Sequence, residues 1–163
     1  MRFARLLFIF VVLFCAVETA RLWYLAPESM AAHFNAQGYP DRFVSKFEFF
    51  SSQAQPALVV FVSGLVLQFL PLILPPEWIN MPNRQDWLTN PERRKGVTER
   101  LSSFGAVLFA LVFLVMQVGF ELAVLANLQK PVAFATEIMI AVIVGFFILS
   151  FMLLFWLGKS FRP

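Results

Sequence analysis

The fold class this sequence predicts is an all-α integral membrane protein, a four-transmembrane-helix bundle with a structured extracytoplasmic loop between spans 1 and 2. Three observations predict it. Four apolar segments reach, or nearly reach, the length needed to cross ~30 Å of hydrocarbon at about 1.5 Å per residue. Of the 163 residues, 60% are hydrophobic and 14% charged, against about 45–50% and about 25% in a soluble domain. Basic residues also concentrate in alternate connecting segments. So much apolar surface in so short a chain needs lipid as part of its solvent, and the length suits one membrane domain over residues 1–163.

The spans follow in order. The first covers about 6–25, with an unbroken apolar run before Glu18 and Arg21 and an aromatic pair, Trp23 and Tyr24, at its end. Its basic start resembles a signal peptide. Cleavage after Ala20, however, would put Glu18 where a small residue is needed, so a retained span is expected. The second covers about 57–74, the third 104–126 and the fourth 132–157. They leave an outer loop at 26–55 and a cytosolic loop at 75–103.

Orientation follows from Lys and Arg. With both termini in the cytosol, nine of the 13 basic residues lie inside: Arg2, Arg5, Arg84, Arg93, Arg94, Lys95, Arg100, Lys159 and Arg162. Inverting the chain reverses that ratio. Trp23 and Tyr24 then mark the outer interface, and Trp78 and Trp156 the inner one.

The cytosolic loop contains a helix start. Asn90 is placed as N-cap, Pro91 at the first helical position and Glu92 in the first turn. This helix is expected to continue into the third span. Arg93, Arg94 and Lys95 would lie at the inner headgroups, as a positive-inside anchor or as a contact for an anionic lipid or partner.

The outer loop is dense in turn formers. Asn35-Ala36-Gln37-Gly38 fits a type I turn, and Tyr39-Pro40-Asp41-Arg42 fits a second. Ser45-Lys46-Phe47-Glu48 matches a capping box, with Val44 and Phe49 as its hydrophobic staple. A short amphipathic helix is therefore expected from Ser45, dipping Phe47 and Phe50 into the interface, with Pro56 ending it or opening the second span.

The stretch Pro27, His33-Phe34-Asn35, Gly38, Pro40-Asp41, Ser45-Lys46 resembles the domain of unknown function 1648 over about 25 residues. That bacterial membrane domain also begins the immunity protein against the sporulation-delaying-protein toxin. Phe43-Val44 departs from the family's usual Trp-Gly. The resemblance implies a multi-pass protein of the bacterial cytoplasmic (inner) membrane and implies no catalytic residue. The candidate functional loop residues are His33, Asn35, Gly38, Asp41, Ser45 and Lys46.

Ionisable and polar residues inside spans are functional candidates by default. Here they are Glu18, Arg21, Gln117, Glu121 and Glu137, all expected in the outer half just under the loop. Glu18 and Arg21, three apart, share a helix face and can pair. Turn chemistry leaves His33 unexplained. It is expected to dock on Glu121 or Glu137 as a pH-dependent lid, or else to hydrogen-bond within its loop to Asp41.

No H-E-x-x-H, G-x-S-x-G, P-loop or paired-cysteine motif occurs, and each of those chemistries needs its set. No nucleophile has a base beside it. No catalytic residue, metal, cofactor or nucleic-acid partner is expected. The functional expectation is a non-catalytic accessory, sensing or immunity-type interaction protein. Its partners would be the lipid bilayer and a peptide or another membrane protein met by the outer loop. The alternative is a small transporter or proton-linked factor using the outer-half glutamates.

Overall fold

Uninterrupted runs of apolar helix formers dominate the computed structural model, which describes residues 2–35, 39–80, 84–128 and 133–160. Helix α1 spans Arg2–Leu25, α2 Lys46–Ile73, α3 Arg84–Leu88, α4 Pro91–Leu128 and α5 Ala133–Ser160. A one-turn 3-10 helix covers Pro76–Trp78. Helices α1, α2, α4 and α5 are each long and apolar enough to cross a membrane.

α4 is the hub, and α1, α2 and α5 each pack along it. Its buried positions recur at spacings of three and four: Thr98, Ser102, Gly105, Ala106, Ala110, Phe113, Gln117, Phe120 and Val124. That spacing puts them along one seam. α1 runs parallel to α4, since Arg5 donates to Ser102 (3.2 Å) at one end and Thr19 to Gln117 (3.2 Å) towards the other. Ala4, Phe8, Val11 and Cys15 of α1 meet Ala106, Ala110 and Phe113 of α4 in one apolar core.

α2 runs antiparallel to α4. Small residues let the two backbones approach, the usual device where lipid removes the hydrophobic drive between helices. A Cβ on Gly105 would stand 3.3 Å from the Leu67 carbonyl oxygen, and one on Gly64 would stand 3.1 Å from Phe109 and Phe8. Gln68 is buried beside this contact and satisfies its amide on the Gly64 carbonyl of its own helix (3.1 Å).

α5 departs from the expected bundle. None of the described side chains in its apolar window is buried, so it lies against α4 without entering a shared four-helix core. Among its described side chains, Leu157 in the last turn joins a core, packing on Ile79, Leu88 and Val97. The start of α1, residues 74–80 and 84–103 and the end of α5 thus share one end of the molecule.

The opposite end carries a hairpin. β1 (Ser29–Phe34) and β2 (Pro40–Ser45) pair antiparallel, Ser29 opposite Ser45, with register shifts around His33. This corrects three loop expectations. Tyr39–Arg42 is not a free-standing turn, because Pro40 opens β2, a position where a strand tolerates the missing N–H. No separate amphipathic helix forms, because the helix capped at Ser45 runs on to Ile73 with Pro56 inside it. Phe50 does not dip into the interface either; it is buried with Phe49 against Phe120. The expected turn over residues 35–38 lies largely outside the described residues.

Candidate functional site

The hairpin is fixed at its base. Met30 is fully buried among Leu22, Ala26, Phe49, Phe50, Phe120 and Val124. Asn127, in the last turn of α4, holds β1 from the side. Its Oδ1 accepts from the Ala31 N–H (2.5 Å), and its Nδ2 donates to the Ala31 carbonyl (3.3 Å) and to the Ala123 carbonyl of its own helix (2.9 Å). Sequence reasoning missed Asn127; its signal was an amide in the last turn of an otherwise apolar helix.

The β2-to-α2 junction is held as the sequence predicts at Ser45. The Ser45 hydroxyl accepts from the Glu48 N–H (3.1 Å), the N-cap bond, and Val44 packs on the cluster that holds Phe49. The Glu48 carboxylate faces Arg42 at 3.9 Å. The Lys46 N–H donates to the Glu28 carbonyl (2.9 Å). The Lys46 side chain is buried, with its ammonium 5.0 Å from the Trp23 ring centroid and 3.5 Å from the exposed Glu28 carboxylate. Lys46, the first residue of α2, therefore ties α2 to α1 and to the link from α1 into β1.

At the far end Asn35 closes the hairpin. Its N–H donates to the Tyr39 carbonyl (2.8 Å), and its side-chain oxygen accepts from the Tyr39 N–H (2.9 Å). His33 meets Asp41 across the strands at 2.6 Å, with the imidazole side chain 66% exposed. The expected docking of His33 on Glu121 or Glu137 is therefore wrong, and the contact within the loop forms instead. The register sets this outcome, because it puts Asp41 within reach on the paired strand while the glutamates lie on the helices. Gly38 lies outside the described residues.

The intramembrane cluster is assembled in part. Arg21 bridges Glu18 (2.6 Å) and Glu121 (3.0 Å), joining α1 to α4 just below the hairpin. One turn deeper, the Thr19 hydroxyl donates to the side-chain Oε1 of Gln117 (3.2 Å). Glu137 is exposed on α5, and Arg21 makes its ion pairs with the other two glutamates.

Beside this ladder lies a groove of about 720 Å3. α1 and α2 both rest on α4 and touch across it through aromatic side chains: Trp23 on Phe50 (5.0 Å) at the hairpin end and Phe8 on Phe61 (6.1 Å) deeper down. Between these closures the walls are Cys15, Ala16 and Thr19 on one side and Ala54, Ala57 and Leu58 on the other. Gln117 lies in the floor, and its Nε2 is buried with no partner.

At the opposite end Asn90 caps α4 as expected, accepting from the Glu92 N–H (2.9 Å) and the Arg93 N–H (3.3 Å). The three bases divide. Arg93 lies over the Trp87 ring (6.0 Å) and donates to the Asp86 carbonyl (3.4 Å), whereas Arg94 and Lys95 line a second cavity of about 470 Å3 with Leu72 and Leu88. Among the described residues, no three His, Cys, Asp or Glu side chains gather as metal ligands.

Residues 9–53 match the domain of unknown function DUF1648. The match covers most of α1, the whole hairpin and the first turns of α2, the segment in which His33, Asn35, Asp41, Ser45 and Lys46 sit. No curated protein and no solved structure matches the chain.

Proposed function

We propose that this chain is a non-catalytic interaction protein of the bacterial cytoplasmic membrane, with both termini in the cytosol and its hairpin outside. The hairpin is its contact surface for a peptide or another membrane protein. One observation carries the reading: the hairpin is locked at its base yet presents exposed large side chains. Tyr39, Phe43 and Phe47 are exposed around it, beside the exposed charged groups of Arg42 and of the His33–Asp41 pair. Rigid aromatic side chains next to charges suit a partner surface, because aromatic residues and Arg are enriched where proteins bind one another.

The orientation draws support from the shared location of the start of α1, the described residues of 74–103 and the end of α5, which among the described residues hold eight of the 13 basic residues. A non-catalytic role draws support from Cys15, which is buried with its thiol directed at the Phe113 backbone carbonyl. The proton-linked alternative rests on the glutamates, but Arg21 already engages two of them.

A photo-crosslinking residue at Phe43, used in living cells, tests the reading. We expect a discrete protein adduct from Phe43 and none from Ile143 on α5. Adducts with lipid alone at Phe43 would overturn it. The Glu121→Gln variant should give the same adduct. Loss of a pH-dependent flux in that variant, with the adduct preserved, would favour the proton-linked alternative. A cytosol-active reporter should work after Pro163 and fail at Gln37.

A further inference from the structure

The basic run at the start of α4 does not act as one unit. Arg93 is engaged by the protein itself, over the Trp87 ring and on the Asp86 carbonyl. Arg94 and Lys95 instead line the cavity of about 470 Å3 between the end of α2 and the start of α4, a size within the about 300–1,000 Å3 of small-ligand sites. Among the described residues neither base forms an ion pair with a carboxylate.

The other donors around this cavity are already satisfied. The Thr98 hydroxyl donates to the Arg94 carbonyl (2.8 Å) and the Thr89 hydroxyl to the Gln85 carbonyl (2.7 Å). The N–H groups at the start of α4 are taken as well, Glu92 and Arg93 by the Asn90 side chain and Arg94 by the Asn90 carbonyl. The helix end is therefore not the site. What remains to face a ligand is a guanidinium and an ammonium, with the Glu99 carboxylate as the one opposite charge in the lining. Two positive charges against one negative suit a ligand that carries a single negative charge.

Depth identifies the rest of the ligand. α4 is uncharged from Leu101 to Phe120, a length of about 30 Å that matches the hydrocarbon core. Thr98 lies within one turn of that boundary, and Arg94 and Lys95 lie within two, on stems long enough to carry their charges along apolar surface. Leu72, exposed in the last turn of α2, forms an apolar wall of the same cavity. A ligand here joins one negative charge to an apolar body at the level of the headgroups. An anionic glycerophospholipid does so through its phosphodiester and the start of an acyl chain. A zwitterionic lipid brings a cation of its own towards the two bases, and a doubly charged phosphate brings a second negative charge towards Glu99.

We propose that this cavity binds the phosphodiester of an anionic glycerophospholipid from the leaflet at this end of the molecule, held by Arg94 and Lys95, with an acyl chain against Leu72. Glu99 restricts the site to one negative charge. The proposal rests on the membrane spans and is independent of the hairpin reading, since it uses none of the hairpin side chains.

The full chain, purified in maltoside detergent, is titrated with palmitoyl-oleoyl phosphatidylglycerol or the corresponding phosphatidylcholine, and binding is read by native mass spectrometry. A base near an anionic membrane surface is worth about five-fold in affinity, and Glu99 offsets one of the two, so wild type should prefer phosphatidylglycerol by about five-fold. Arg94→Gln with Lys95→Gln should lose the preference, and Arg94→Lys with Lys95→Arg should keep it. Glu99→Gln should raise it by about a further five-fold. Arg2→Gln with Lys159→Gln removes the same charge from exposed positions at the same end and should leave the preference intact. An equal loss in that pair would mean bulk charge attraction rather than a site and would overturn the proposal. Soluble glycerophosphoglycerol and inorganic phosphate should not displace the lipid at equal concentration. Binding of either as tightly as phosphatidylglycerol would overturn the lipid assignment. A wild type without preference would overturn it too, and would leave the two bases to an acidic protein partner.

Discussion

α4 and α5 are adjacent apolar helices with opposite fates. α5 is the more apolar, with a best-window mean hydropathy of 2.8 against 2.4, yet none of its window is buried, while 28% of the α4 window is. The difference lies in what interrupts the apolar residues. α4 carries Ser102, Gly105, Ala106, Ala110 and Gln117 on a single seam. Small residues there admit neighbouring backbones, and polar ones bond across, as Arg5 does to Ser102 and Thr19 to Gln117. α5 also has small residues, but a Cβ on its Gly145 would meet nothing within 4 Å. Lipid is as apolar as Leu, so hydrophobicity selects which helices enter the membrane and shape selects which of them pack.

The largest test of this contrast is Gly105→Leu. Its Cβ would press on the Leu67 carbonyl oxygen at 3.3 Å, and overpacking of this kind costs about 1–3 kcal/mol. Thermal unfolding in detergent should register it, with α2 parting from α4. Next is Asn127→Ala, which frees the Ala31 N–H and carbonyl. At about 1 kcal/mol net per hydrogen bond, the hairpin should lose about 1–2 kcal/mol, read as faster hydrogen exchange at the Ala31 amide while the helix amides hold. A loss spread evenly over all helices would mean that Asn127 braces the whole fold rather than β1.

Ser45→Ala should cost about 0.5–2 kcal/mol of local stability, and Ser45→Asp much less, since a carboxylate also caps. Equal damage from both, measured by exchange in the first turn of α2, would point to a role for the hydroxyl beyond the cap. The smallest effect belongs to Gly145→Leu on α5, expected within about 0.5 kcal/mol as for a substitution that touches nothing. A loss there equal to that of Gly105→Leu would erase the contrast and place α5 in a packed interface.

Local chemistry in this chain was legible and long-range pairing was not. Asn90 and Ser45 announce themselves as caps because the bond each makes closes within three residues. Glu18 and Arg21 pair because helical geometry alone brings them together. The hairpin did not show, because Ser-Met-Ala-Ala-His-Phe has little intrinsic strand preference. It becomes a strand through burial of Met30 and the clamp of Asn127, 96 residues away from Ala31. Pro56 misled for a related reason, since in a packed membrane helix the neighbours hold a chain that the missing N–H would otherwise break. For His33 the sequence left two partners open, the glutamates or Asp41, and the strand pairing decided for Asp41.

The Asn127 clamp also limits what the hairpin can add to itself. In an antiparallel pair, alternate residues turn both backbone groups away from their partner strand, and Ala31 is such a residue. Those free groups at the edge of a sheet invite another chain to extend it. Here the amide of Asn127 fills the rung a third strand would take, offering one acceptor and one donor in the places a neighbouring backbone would offer them. β1 is thereby closed to strand addition, and any partner that recognises the hairpin by extending its sheet must approach along β2.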